Sequence, residues 1–132
     1  MAGDPLAYAP HLRQRPLAGV PQKRILIQFY KGDPNVENPQ TSALLRAGDL
    51  TDRATFYRHD FAFADNRALA KNPHQFFQNL NVAANRPITL ALQRQAATFI
   101  GSDGERTDQP VPLQYFEVPI RGALPESLNY IR

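Results

Sequence analysis

The segment Arg24-Ile25-Leu26-Ile27-Gln28-Phe29-Tyr30 constrains the fold more than any other. From Ile25 to Tyr30 it is apolar on both alternating faces apart from Gln28. A strand takes that pattern when both faces are covered, as in a parallel sheet with helices packed above and below. The run breaks into Lys31-Gly32-Asp33-Pro34-Asn35-Val36, a loop signal. Pro39-Gln40-Thr41-Ser42 then leads into Ala43-Leu44-Leu45-Arg46-Ala47, which predicts a short helix with Thr41 or Ser42 as N-cap and Gly48 as its stop. Ala54 to His59 is β-branched and aromatic, which predicts a second strand, so strand, helix and strand form a crossover unit of α/β type joining parallel neighbours.

Around this unit the chain is less regular. Residues 4–22 carry Pro5, Pro10, Pro16 and Pro21, which predicts an extended surface arm over residues 1–22, because proline lacks an amide donor and disfavours helix in the residue before it. Residues 60–86 read as a long irregular stretch with a helical turn near Pro73 to Asn79. From Pro87 the positions Ile88, Leu92, Ala96, Phe99 and Ile100 recur at helical spacing, which predicts a helix ending at Gly101 or Gly104. Strand, helix, strand, loop and helix thus span residues 23–104. The tail, 105–132, holds an edge strand within Leu113 to Ile120, since Pro119 cannot donate to a ladder.

Composition narrows the function classes. A length of 132 residues with 42% hydrophobic and 20% charged residues fits one globular domain. The net charge of +3 is small and the Lys and Arg residues are scattered without interleaved aromatics, which argues against nucleic-acid binding. With no cysteine, disulfides and thiolate chemistry are excluded. The first residues show no signal peptide, localisation is left open, and no apolar run has the length of a membrane span. The three histidines, His11, His59 and His74, show no metal-ligand pairing, so neither a metal nor a cofactor is expected.

Two residues stand out for chemistry. Loops leaving the carboxyl ends of strands line the ligand crevice of a doubly wound sheet, which places Asp33 to orient a histidine. His74, in Asn72-Pro73-His74-Gln75-Phe76-Phe77, follows the second strand and supplies a general base. Each has a plainer reading: Gly-Asp-Pro is ordinary turn chemistry, and His74 can cap or fill the start of a helix. His59, at the end of the second strand, competes with His74 or forms a surface pair with Asp60, while His11 faces solvent. Of the serines, Ser42, Ser102 and Ser127, none lies in Gly-x-Ser-x-Gly between strand and helix. Gly101-Ser102-Asp103-Gly104 follows a helix and reads as its C-terminal cap. Phe61, Phe63, Phe76 and Phe77 read either as core or as an aromatic ligand surface.

In pattern and order these segments resemble the C-terminal part of bacterial lipase-like and esterase-like α/β-hydrolases. Asp4 to Leu12 and Arg15 to Pro21 are similar to the lead-in to that family's penultimate strand. Ile25 to Tyr30 with Gly32-Asp33-Pro34-Asn35-Val36 and Asn38-Pro39 resembles the strand and loop presenting the triad acid. Asn72-Pro73-His74 resembles the loop presenting the triad histidine, with Pro87 to Gly101 as the closing helix. The resemblance implies a partial, doubly wound, mainly parallel sheet and an enzyme acting on an ester or lipid-like substrate, with catalytic residues Asp33 and His74. It also implies a departure: the serine elbow and oxyanion loop lie upstream in that family and are absent here. The chain alone is then weak or inactive, and is completed by self-association into a homo-oligomer or by the N-terminal part of a hydrolase. The competing expectation is a non-catalytic α/β interaction module.

Overall fold

Alternation along β1, Ile27–Tyr30, decides how the layers form. Ile27 and Phe29 point to one side of the sheet, and Gln28 and Tyr30 to the other. The computed structural model of the chain describes residues 3–128 and Tyr130. In it β1 pairs in parallel with β2, Ala54–Tyr57, in the register Ile27 to Ala54 through Tyr30 to Tyr57. The two-residue β3, Phe116–Glu117, adds antiparallel to the far side of β2, giving the order β1, β2, β3. This is a small mixed sheet of α/β type, with one parallel pair and a short antiparallel edge.

Each face of the sheet buries its own core. On one side Phe29 and Phe56 stack with ring centroids 4.6 Å apart, joined by Leu45, Leu50, Ala54 and Ile120. Leu45 comes from α2, Asn38–Gly48, which carries the chain from β1 back to β2. On the other side Tyr30 and Tyr57 meet Ala62, Phe63, Leu69, Phe76, Ile88, Ala91, Leu92 and Phe116. The helices there are α3, His59–Asp65, and α4, Arg86–Gly101. Gln28, the one polar residue of the β1 run, donates to the Leu92 carbonyl at 3.0 Å and to Gln95 Oε1 at 2.8 Å. It therefore ties β1 to α4 without leaving a buried amide unpaired.

Residues 1–22 are not an extended arm throughout: Pro5–Leu12 form a helix, α1. Asp4 caps it by accepting from Leu6 N at 2.9 Å, and Pro5 sits in the first turn, where a missing N–H costs nothing. Pro10 lies inside but removes only one bond of a two-turn helix. Ala9 is buried, its carbonyl 3.1 Å from where a Cβ on Gly48 would stand. Close approach to α2 thus outweighs the proline penalty.

Other boundaries shift for local reasons. Helix α2 begins at Asn38, with Thr41 and Ser42 inside it and not at its cap, and stops where Asp49 turns left-handed at φ 55°. The second strand ends at Tyr57, and His59 opens α3. Helix α4 closes as expected: Gly104, at φ 77°, donates to the Phe99 carbonyl at 2.7 Å, and Ser102 serves this cap. The tail strand shrinks to Phe116 and Glu117.

Candidate active site

Strands β1 and β2 run parallel and in register, so the chain leaves Tyr30 and Tyr57 at the same end of the sheet, into a loop after β1 and into α3 after β2. The loop after β1 is short and tightly determined. Gly32 takes φ 80°, a conformation open to glycine, and its N–H donates to Asn38 Oδ1 at 3.1 Å. Asn38 Nδ2 in turn donates to the Tyr30 carbonyl at 2.7 Å, so one buried asparagine clamps both sides of the turn. Asp33, 5% exposed, accepts at Oδ1 from Asn35 N at 2.8 Å and Val36 N at 3.0 Å. That is the turn chemistry expected of Gly-Asp-Pro, and it fixes the carboxylate's orientation.

The irregular stretch that follows α3, residues 66–82, brings His74 to that carboxylate. His74 Nδ1 lies 3.0 Å from Asp33 Oδ1 and 3.0 Å from Oδ2. A carboxylate only accepts, so Nδ1 carries the proton and the neutral ring presents an unprotonated Nε2. Nε2 has no hydrogen-bond partner among the described residues, and the side chain is one-third exposed while that of Asp33 is 6% exposed. Asn72 stitches the loops together: its Oδ1 accepts from His74 N at 2.9 Å, and its Nδ2 lies 3.4 Å from Asn35 Oδ1. Asp33 is thus buried behind a one-third exposed imidazole whose far nitrogen has no hydrogen-bond partner among the described residues, an arrangement able to take up a proton at Nε2.

The remaining candidates are placed elsewhere. His59 does not end a strand or pair with Asp60. It is fully buried, and Asp60 binds Arg58 at 2.7 Å instead. His11 is half-buried, its Nδ1 donating to the Arg15 carbonyl at 2.7 Å. Ser42 is buried and donates to the Pro125 carbonyl, Ser102 caps α4, and Ser127 lies 3.2 Å from Lys31 Nζ. None of the three is hydrogen-bonded to His74. Phe63 and Phe76 are core, whereas Phe61 and Phe77 remain exposed, so the four phenylalanines split between their two readings. Among the described residues no group of three or more His, Asp or Glu gathers to hold a metal, and no helix is long and apolar enough to cross a membrane.

Beside the pair, the outer edge of β1 has no strand partner among the described residues. An open groove of about 480 Å³ runs along it, lined by Leu26, Gln28, Tyr30, Phe77, Phe99 and Ile100. Burial raises the Tyr30 hydroxyl to about 12, so it stays protonated beside this groove. The sequence names Asn38 and Asn72 only as members of their loops, through Asn38-Pro39 and Asn72-Pro73, and does not reveal the hydrogen bonds by which each holds its turn. Compared with models of protein families, with curated proteins and with solved structures, the chain matches none.

Proposed function

We propose that Asp33 and His74 are the acid and general base of an α/β-type ester hydrolase whose nucleophile comes from polypeptide outside this chain. The observation that carries this reading is the two-oxygen contact of Asp33 with His74 Nδ1, at the end of the sheet where the parallel strands β1 and β2 finish, with Nε2 without a hydrogen-bond partner among the described residues. The nucleophile's hydroxyl would give its proton to Nε2 as its oxygen attacks the ester carbonyl. The imidazolium, stabilised by Asp33, would return that proton to the departing alcohol. Water would then release the acid by the same route in reverse. The open edge of β1 suits a nucleophile-bearing strand, because a strand added there would end beside Asp33. Resemblance to lipase-like and esterase-like α/β-hydrolases supports carboxylic esters as the substrate class.

A non-catalytic module is the second reading, favoured by the engagement of Ser42, Ser102 and Ser127 in contacts away from His74. Hydrolysis of a short-chain chromogenic ester separates the two. The chain is assayed over a range of concentrations, alone and co-expressed with the polypeptide encoded immediately upstream. The hydrolase reading expects activity in one of these settings that falls on the order of 10³- to 10⁴-fold in both His74→Ala and Asp33→Ala. Activity absent throughout, or indifferent to both changes, leaves the module reading.

A further inference from the structure

Residues 66–82 carry His74 without a regular helix or strand to hold it, so its placement depends on side chains reaching in from fixed elements. On the near side of His74, Asn85 Oδ1 accepts from Ala70 N at 3.0 Å, and His59 Nε2 lies 3.1 Å from the Lys71 carbonyl. On the far side, Thr89 Oγ1 donates to the Phe76 carbonyl at 2.6 Å, and Gln93 Nε2 to the Phe77 carbonyl at 2.8 Å. His59 meets both sides. Besides Lys71, its ring stands edge-on to Phe76, with centroids 4.9 Å apart. It is itself fixed at the start of α3 by Tyr57 and Phe63, at centroid distances of 5.6 Å and 5.7 Å.

We propose that His59 is a positioning residue for His74, its Nε2–H and ring edge gripping the loop on both sides so that the His74 imidazole is held square to Asp33. The proposal rests on the acid-and-base reading of Asp33 and His74. The Lys71 carbonyl can only accept, which assigns the proton to His59 Nε2 and leaves Nδ1 to face the Tyr57 hydroxyl at 3.5 Å. Burial lowers the proton affinity of His59 below that of an ordinary histidine, so the ring stays neutral and keeps this tautomer. No route leads from this buried ring to a substrate: it acts through the backbone that carries His74.

The test reads His74 directly, by nitrogen NMR of the whole chain labelled at histidine, with the rings in their neutral form. In the unaltered chain His74 is expected as the Nδ1–H tautomer; if it is not, the Asp33–His74 reading itself fails, which is a different result from failure of the grip. His59→Phe keeps a ring in the core and removes the donor, and should shift the His74 tautomer ratio roughly tenfold toward Nε2–H, the equivalent of one hydrogen bond. His59→Gln places an amide N–H near the position of Nε2 and should restore the Nδ1–H form. Should the phenylalanine variant not fold, His59→Asn replaces it, since its shorter amide cannot reach Lys71. An unchanged His74 tautomer in a folded His59→Phe chain, or equal ratios in the glutamine and asparagine variants, overturns the proposal.

Discussion

At the residue scale, Asp33 serves two purposes with one carboxylate. Its Oδ1 closes the turn on Asn35 and Val36 and also faces His74. Asp33→Asn separates the two. An asparagine oxygen still accepts the backbone N–H groups, so unfolding free energy should change by no more than about 1 kcal/mol in a urea titration. Its NH₂ group, however, turns a donor toward Nδ1 and drives the His74 proton to Nε2, so ester hydrolysis should fall on the order of 10⁴-fold. Gly32 is the complementary case: at φ 80°, Gly32→Ala should cost about 1–2 kcal/mol, read in the same titration. His59 gives a pH signature. Its proton affinity is lowered in the folded state by burial, so the unfolded chain binds more protons as pH drops below the ordinary histidine range. Stability should therefore be full above that range and decline as pH falls through it toward the lowered folded value. Urea midpoints between about pH 7 and pH 5 should show this slope, and His59→Phe should flatten it.

At the element scale, the crossover unit was written plainly in the chain. Ile25 to Tyr30 is apolar on both faces because α2 covers one side and α4 the other, and Ile88, Leu92 and Ala96 keep helical spacing because one stripe of α4 meets that sheet. What the sequence obscured was local competition. Pro5 and Pro10 suggested an extended arm, yet Asp4 supplies a cap and Ala9 a buried contact with α2, and neither is visible without knowing that Gly48 lies opposite. His59 looked like a strand end because aromatic residues precede it, whereas its burial depends on Phe63 and on Phe76, seventeen positions away by number. The approach of Asp33 to His74 was expected from their order together with the resemblance to α/β-hydrolases; the clamps of Asn38 and Asn72 were not, since both depend on which backbone groups the turns leave unpaired. The α1–α2 approach has its own test. A Cβ on Gly48 would stand 2.7 Å from Leu50 Cδ1, and Leu50 is fully buried, so Gly48→Ala should destabilise by about 1–3 kcal/mol through overpacking. Thermal unfolding followed by circular dichroism measures it.

At the scale of the whole molecule, the sheet ends on the two-residue β3 at one side and on β1 at the other. Beyond β2 lies only the short β3, while the outer edge of β1 has no strand partner among the described residues and its groove sets half-buried Leu26 and Phe99 beside exposed Phe77 and Ile100, the last 76% exposed. An unpaired strand edge beside apolar surface favours strand addition or self-association. Sedimentation of the purified chain should accordingly show association that rises with concentration, and Leu26→Lys or Ile100→Lys should reduce it without loss of folding. Strand β1 leads into the Asp33 loop, so under the proposed function completing the sheet also completes the site. In the proposed function Asp33 orients His74 to take a proton from a nucleophile brought to the β1 edge. The most direct test measures chromogenic ester hydrolysis by the chain and its upstream polypeptide, with Asp33→Asn and His74→Ala compared at matched folded concentration. Hydrolysis that both substitutions reduce by on the order of 10³-fold or more is the expected result. Hydrolysis that survives either substitution would contradict it.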